Sequence, residues 1–450
     1  GKGLPRPRPT LRPRPRCSHI ISRAAPCQEG DVLELRMESM TSSGQALGRL
    51  GPTRWVVMVF GALPLELIQL KIIRNFKGRS EAKLQRILEK SPERVEPRCP
   101  IFARCSGCQY QHLSYEAQLF WKREHVQQAF SRIAKIDVTV EATVPSPKVY
   151  HYRTKLTPHP QEPPPRRQRL AWQQGGEASV DYSALGFLEQ DWGDARDASG
   201  RRWRKVVDVR SCPIATEALN EALPAERTKA KSGRLSGPLL LRDTTEDGVV
   251  TDPQQVVTEV LPGLGAFSFR AGGFFQNNSS ILPAFVQHVL SAAVEDSPEV
   301  LVDLYCGVGL FALSGANHFQ QIFGVEVEPV AVNLARRNAA AHGHGHVQFL
   351  AADAANGLRE VARSLQCEKV VVIVDPPRQG LKEEARQALL TLQPQRMVYV
   401  SCDCATQARD LKDFVAEGYV VKRATPFDLF PQTRHLEVVV ELELLERQKK

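Results

Sequence analysis

The sequence predicts an α/β protein, with a doubly wound, mostly parallel sheet in its C-terminal half, an OB-like β-barrel in front and a mixed α+β region between them. Three observations predict this. From about Ala271 onward, apolar runs of strand length alternate with segments of helical period. Between Asp31 and Pro97 the pattern reads as all-β, with short apolar runs separated by glycines. Three polar motifs, opening at Asp303, Asp375 and Ser401, each belong to the end of an apolar run. That puts them at the carboxyl rim of an open sheet, where such folds bind ligands.

Four segments follow: 1–28, 29–97, 98–267 and 268–450. The first is rich in Arg and Pro and carries no acid as far as Pro26, the composition of an organellar transit peptide. A mitochondrion or chloroplast is then the expected destination. The other reading is a disordered RNA-binding tail on a cytoplasmic protein. In the second segment, the runs Val32–Arg36, Arg54–Phe60 and Glu66–Ile73 fit a five-stranded barrel of the OB type, a common platform for single-stranded RNA. Lys71, Arg74 and Lys77 give it a basic flank.

In the third segment, Leu113–Ile133 has the pattern of an amphipathic helix, and Thr157–Ala178, rich in Pro, Arg and Gln, reads as a loop. The fourth segment predicts strands at Val300–Cys306, Gln321–Val327, Val347–Ala351, Val370–Asp375 and Met397–Ser401. Its helices are predicted from Val308, over Pro329–His342 and over Thr406–Glu417. The final run from His435 alternates apolar and polar residues, as an edge or antiparallel strand does.

Bulk properties narrow the class. With 59 Lys and Arg against 50 Asp and Glu, the net charge is +9, which suits an acidic partner such as RNA. No run of eighteen apolar residues occurs, so no transmembrane helix is expected. The ten cysteines are scattered through a long chain, unlike a disulfide framework. A monomer is expected.

The chemistry lies in four constellations. Asp303-Leu-Tyr-Cys-Gly-Val-Gly309 is a glycine-rich turn that lets backbone amides approach a ligand at a helix start. Glu326 ends the next strand, where an acid holds ribose hydroxyls, and Asp353, after the strand beyond, could face an adenine amino group. The turn lacks a Walker Lys and the third glycine of the dinucleotide fingerprint. An S-adenosylmethionine site therefore fits better than a nucleotide triphosphate or dinucleotide one. Asp375-Pro-Pro-Arg378 ends a further strand. Cys402 ends another and is placed like a nucleophile rather than a core thiol. Cys99, Cys105 and Cys108, spaced C-x5-C-x2-C, with Cys212 in a second Cys-Pro pair, could hold a 4Fe–4S cluster or a structural zinc ion. Cys306 reads as structural, and Cys17, Cys27 and Cys367 carry no signal.

Taken together, these motifs resemble the RNA uracil-C5 methyltransferase family, which makes 5-methyluridine in tRNA and ribosomal RNA. The resemblance runs from Asp31 almost to the end. Gly44-Gln-Ala-Leu-Gly48 and Pro64-Leu-Glu-Leu67 resemble a TRAM domain, and the Cys99–Cys108 run with Gln109-Tyr-Gln111 resembles the family's iron–sulfur motif. Phe274-Phe-Gln-Asn-Asn278, the glycine turn, Asp375-Pro-Pro-Arg378, the Cys402 motif and Phe427-Asp-Leu-Phe-Pro-Gln-Thr-Arg-His-Leu-Glu437 follow in family order.

The resemblance implies a class-I methyltransferase domain with Cys402 as nucleophile and Glu437 as base. It implies Gln276, Tyr305, Glu326, Asp353 and Asp375 on S-adenosylmethionine, Arg378 near the uracil, and a 4Fe–4S cluster, in preference to zinc, on Cys99, Cys105, Cys108 and Cys212. The family usually has Asn-Pro after the nucleophile. Here Asp403-Cys404 offers a rival thiol and a negative charge expected to raise the pKa of Cys402. The RNA is expected to be a tRNA T-loop uridine, with a large ribosomal RNA uridine as the alternative. A non-catalytic RNA-binding protein on the same scaffold is the reading of another class.

Overall fold

The computed structural model describes residues 25–161, 183–190, 205–232, 238–365 and 369–445. The transit-like segment up to residue 24, most of the expected Thr157–Ala178 loop, Cys17 and Cys367 lie outside the described residues.

Strands β1 (Val32–Met40), β2 (Ala46–Leu50), β3 (Trp55–Val59), β4 (Leu67–Phe76) and β5 (Arg79–Glu89) close into a barrel in the order β1-β2-β3-β5-β4. Their alternation explains closure. In β3, Trp55, Val57 and Val59 point inward, and Met37, Ala46, Ile68, Leu70, Ile72 and Ala82 meet them in one core. Cys27 is buried in the same core.

Helix α1 (Tyr115–Ala129) starts on Ser114, whose hydroxyl accepts from the Ala117 N–H, and runs into a π-helical turn, Phe130–Ala134. Beyond it come β6 (Lys155–Leu156), β7 (His159–Pro160), β8 (Leu185–Leu188), β9 (Val206–Asp208), α2 (Glu217–Lys231), β10 (Leu241–Thr244) and β11 (Gly248–Val250). These strands form two small sheets, β11-β10-β6 and β7-β8-β9. The hairpin β12 (Val256–Leu261) and β13 (Gly265–Arg270) follows.

The C-terminal part comprises α3 (Leu282–Val294), β14 (Val300–Leu304), α4 (Leu310–Ser314), β15 (Gln321–Glu326), α5 (Pro329–Ala341), β16 (Val347–Ala351), α6 (Ala354–Ser364), β17 (Val370–Val374), α7 (Glu383–Leu392), β18 (Arg396–Ser401), α8 (Cys404–Ala416), β19 (Tyr419–Phe427) and β20 (Glu437–Leu444). The sheet order is β16-β15-β14-β17-β18-β20-β19, parallel through β18, with β20 antiparallel to both its neighbours. Strands β14 and β17 are buried on both faces, which is why they read as unbroken apolar runs. Successive residues feed opposite cores. Leu301, Val371, Ile373, Val398 and Val400 face one, while Val302, Val372, Val374, Met397 and Tyr399 face the other.

The doubly wound sheet and the front barrel are as expected, and of the two readings of the final run the antiparallel one is observed. The final run is antiparallel but is not an edge. Its apolar face and its neighbours bury it, and β19, absent from the sequence reading, takes the edge. The boundary at residues 267–268 falls inside β13, and Val257, Leu261, Phe267 and Phe269 join the core that packs on the large sheet. Helix α1 packs on the other face of that sheet through Val126 and Ala129, joined by Phe130 of the π-helical turn. Helices α3, α6 and α7 were not anticipated. Among the described residues no helix is long and apolar enough to cross a membrane.

Candidate active site

Five strand ends meet at one rim. The parallel order places the residues that follow β14, β15, β16, β17 and β18 along the same edge, and the chain reverses direction of winding between β14 and β17. Tyr305 follows β14, Glu326 ends β15, Asp353 lies beyond β16, Asp375 follows β17 and Cys402 follows β18. Because β20 runs the other way, its first residue, Glu437, lies at this rim too.

The rim forms one wall of a cavity of 1410 Å³. Gln276, Tyr305, Glu326, Asp353, Asp375, Arg378, Cys402 and Glu437 all line it, as do Cys99, Cys105, Cys108 and Cys212. The motifs quoted from six separate stretches of sequence therefore share one space. The four cysteines, from the middle region, share this cavity with the cofactor motifs. The middle region folds back over the rim, with Asn277 O accepting from the Thr154 N–H at 2.9 Å, so its cysteine loops form the far part of the same wall.

The glycine turn has the geometry its composition suggests. Gly309 takes φ +91°, and a Cβ there would come within 3.1 Å of Phe349 and 3.2 Å of Leu313. Tyr305 also holds a left-handed φ, +64°, a conformation non-glycine residues seldom adopt unless their surroundings impose it. Glu326 accepts from the Gly307 N–H at 3.2 Å and the Glu328 N–H at 2.9 Å, which aims its carboxylate across the turn. Asp303 is wholly buried, accepts from the Ala312 N–H at 2.9 Å, and is pushed up to about 8 by burial. It braces α4. Asp353 caps α6, accepting from the Asn356 N–H at 3.1 Å, and that bond holds its carboxyl below the usual range.

Cys402 and its neighbours form a tightly coupled group. Burial, then the charges of Glu437 and Asp375, push the Cys402 thiol up to about 12, while the charge and hydrogen bond of Arg378 oppose them. Burial raises Asp375 to about 7. Burial and the charge of Asp375 raise Glu437 well above the carboxylate range, and Glu437 Oε2 is buried without a partner on the cavity wall. Arg378 is held by its own backbone, whose carbonyl accepts from Thr406 Oγ1 at 3.1 Å. The loop beyond it is pinned where Leu381 N–H donates to Asp410 at 2.8 Å. Gly380, at φ +73°, permits this contact, since a Cβ would meet Asp410 at 2.6 Å.

The rival thiol is elsewhere. Cys404 is buried in the first turn of α8, with Sγ toward the His125 carbonyl at 3.9 Å, and does not line the cavity. The expectation that Asp403 raises the Cys402 thiol is corrected. Asp403 turns toward the helix, accepting from the Ala405 and Thr406 N–H groups at 3.0 and 2.9 Å, and after burial its charge raises Cys404.

Two residues that sequence reading passed over support the wall from behind. Arg242, buried, donates to Ala271 O at 3.3 Å, Gly273 O at 3.3 Å and Asn277 Oδ1 at 3.2 Å, and Lys155 donates to Gly272 O at 2.9 Å. These two cations hold the loop that carries Gln276. No sequence motif marks them, because their partners are backbone carbonyls far along the chain. Phe274, the first residue of the motif that carries Gln276, lines the cavity and is 76% exposed. His435 lines the cavity as a neutral imidazole, pushed down to about 3 by burial and then by the charge of Arg434.

The four thiols of Cys99, Cys105, Cys108 and Cys212 are near enough for their charges to act on one another, and none is in a disulfide. Burial raises all four, Cys105 to about 11. Among the described residues, no group of three or more His, Cys, Asp or Glu side chains is gathered closely enough, as they stand, to hold a metal ion.

Known proteins share these features. The model of the family described as tRNA (uracil-5-)-methyltransferase matches residues 246–446. The chain is 32% identical to the tRNA (uracil(54)-C(5))-methyltransferase of Schizosaccharomyces pombe, over 93% of its own length and 79% of that protein's. It is 30% identical to the protein of the same name from Saccharomyces cerevisiae, over 91% and 73%. Among solved structures, the tRNA (uracil-54, C5)-methyltransferase of Pyrococcus abyssi in complex with S-adenosyl-L-homocysteine superposes with a TM-score of 0.65. It covers 91% of this chain and 100% of that one at 23% identity, a likeness of fold.

Proposed function

The chain belongs to the RNA uracil-C5 methyltransferase family, and from that premise we propose that it makes 5-methyluridine at a T-loop uridine of tRNA through addition of Cys402 to C6 of the base. As a family member it is an S-adenosylmethionine-dependent RNA (uracil-C5-)-methyltransferase. What supports the finer reading is that Cys402 and Glu437 line one acid-walled cavity, and that two fungal relatives are named for uracil 54 of tRNA.

The cavity fits the cofactor. Glu326, Asp353 and Asp375 present carboxylates suited to a ligand with a positive centre, and Gln276 and Tyr305 lie among them. S-adenosylmethionine, when bound, supplies an electrophilic methyl group carried on a cationic sulfur. The chain's own residues must make uracil C5 able to accept it. The Cys402 thiol gives up its proton to solvent, the thiolate sulfur bonds to C6, and the C5–C6 π pair moves onto C5 and the O4 carbonyl. Arg378, beside the thiol, lowers the cost of the thiolate. After C5 is methylated, Glu437 takes its remaining proton. That electron pair restores the C5–C6 double bond and expels the Cys402 thiolate. A uracil stacked in folded RNA hides C6, so the target base must flip into the cavity. Lys71, Arg74 and Lys77 on the barrel would grip the RNA backbone outside it.

The donor set Cys99, Cys105, Cys108 and Cys212 suits a 4Fe–4S cluster. A bound cluster would tie the two cysteine loops together in the cavity wall.

The test uses a T-arm stem-loop carrying 5-fluorouridine. The wild-type protein should form a covalent adduct, and Cys402→Ala should form none while still binding cofactor. An adduct that survives Cys402→Ala and disappears in Cys404→Ala would reverse the assignment. No adduct with any RNA would favour a binding protein. Methylation of a large ribosomal RNA transcript and not of tRNA would overturn the substrate.

A further inference from the structure

The segment Asp428–Arg434 leads from β19 to Glu437 and is almost wholly buried, with Asp428 0%, Leu429 1%, Gln432 4% and Thr433 2% exposed. It makes no strand or helix and closes the loop between Phe427 and Glu437, which pair across β19 and β20. Residues some three hundred positions earlier fix its course. The Gln432 carbonyl accepts from the N–H groups of Gln109 and Tyr110 at 3.2 and 3.0 Å. The side chain of Gln118, on α1, closes a reciprocal pair with the same residue. Gln118 Oε1 accepts from the Gln432 N–H at 2.9 Å, and Gln118 Nε2 donates to Gln432 Oε1 at 3.1 Å. Gln118 itself is anchored, donating to Leu113 O at 2.9 Å.

Gln432 has φ +68°, a left-handed conformation costly for a residue with a side chain and kept only where neighbours impose it. Here every hydrogen-bonding group of its backbone is taken by the 109–118 segment. One turn along α1, Lys122 donates to Asp428 Oδ1 at 2.5 Å and to Phe430 O at 3.1 Å, with both charged groups fully buried. A buried ion pair contributes little net stability and is best retained for geometry. The bend that leads into Glu437 is thus held at its start and its middle.

We propose that Gln118 and Gln432 are positioning residues for the Glu437 carboxylate. Their reciprocal amide pair sets the bend that brings Glu437 opposite Cys402. This rests on the reading of Glu437 as the base that takes the C5 proton, so the two must be separable by experiment. Only the release step, in which C5 loses its proton and the C6–sulfur bond breaks, needs Glu437 in place. Addition of Cys402 and methylation do not.

Single-turnover methyl transfer from labelled cofactor, and the covalent protein–RNA species on a denaturing gel, are followed together for four proteins. Glu437→Gln should methylate and accumulate the covalent species. Gln118→Ala should keep methyl transfer within about threefold of wild type and slow release by about tenfold or more, so that the species accumulates there as well. Gln432→Gly removes the side-chain amide but suits the φ of +68°, so it should fold where Gln118→Ala does not, and it should show the same split. Loss of stability alone would lower both steps together and leave no trapped species. If Glu437→Gln traps nothing, the reading of the base fails. If Glu437→Gln traps the species while Gln118→Ala or Gln432→Gly, folded, releases product normally, the positioning role is overturned.

Discussion

Cys402 lies one register step beyond the Ser401–Val438 pair of β18 and β20, and the residue opposite it at that step is Glu437. Opposite residues of an antiparallel pair share a face of the sheet, with Cα atoms about 4.5–5.5 Å apart. Both follow the alternation of Val400 and Val439, which face the same core. A thiol and a carboxyl from strands running in opposite directions are thereby brought to one side of the rim, where the charge of Glu437 disfavours that of Cys402.

The first prediction concerns the thiol. With burial, Glu437 and Asp375 raising Cys402 to about 12, the cofactor-free protein should be alkylated slowly at this position at pH 7.5, and faster as pH rises. S-adenosylmethionine, a cation, should lower the thiol pKa and speed alkylation of any thiol it leaves accessible. S-adenosylhomocysteine, which lacks that positive charge, should not. Asp375→Asn should speed alkylation without any ligand. Mass spectrometry of the Cys402 peptide against time and pH measures this, and equal effects of the two ligands would remove charge as the cause.

A second prediction follows from Asp375. Its carboxyl stands near 3.8 when unfolded and about 7 in the fold, so between these values the folded chain binds the extra proton. This stabilising contribution is complete below about pH 4 and is lost as pH rises through 7. The cofactor-free Tm should fall over that window, and fall less steeply in Asp375→Asn, which should be the more stable protein at pH 8. Asp303, raised to about 8, leaves part of the slope in the variant. Identical slopes from thermal scans between pH 4.5 and 8 would show that Asp375 ionises freely in the fold.

The four cysteines supply the third. Protein purified without oxygen should carry about four irons per chain and absorb in the visible, and Cys108→Ser should lose them. Cys108 directly precedes Gln109, whose N–H holds Gln432, so removing the metal should also loosen amide-exchange protection at Gln432. Stoichiometric zinc without iron in metal analysis would overturn the cluster.

Much of the site was legible because its residues end strands. An apolar run followed by a polar motif announces a rim position, and such runs delivered Glu326, Asp353, Asp375 and Cys402 in chain order, while Gln276, Tyr305 and Glu437 came from the family resemblance. Lys155, Arg242 and Gln118 were not legible. They act on backbone carbonyls or on one amide far along the chain, and no local pattern records such a partner. The final strand was read as a possible edge because alternation reports one buried face. Whether a neighbour covers the other side is decided by pairing.

The sequence by itself determined the barrel, the doubly wound sheet and the chemical kinds of residue available, since local periodicity and strand-end motifs are properties of short stretches. The tertiary structure alone decided that the cysteine loops close the same cavity as the cofactor turn, and that Asp403 caps a helix instead of acting on Cys402. It also decided that Glu437 is delivered to Cys402 by a bend held from α1. Each depends on contacts between stretches up to about three hundred residues apart, and such contacts are selected by the packing of the whole core.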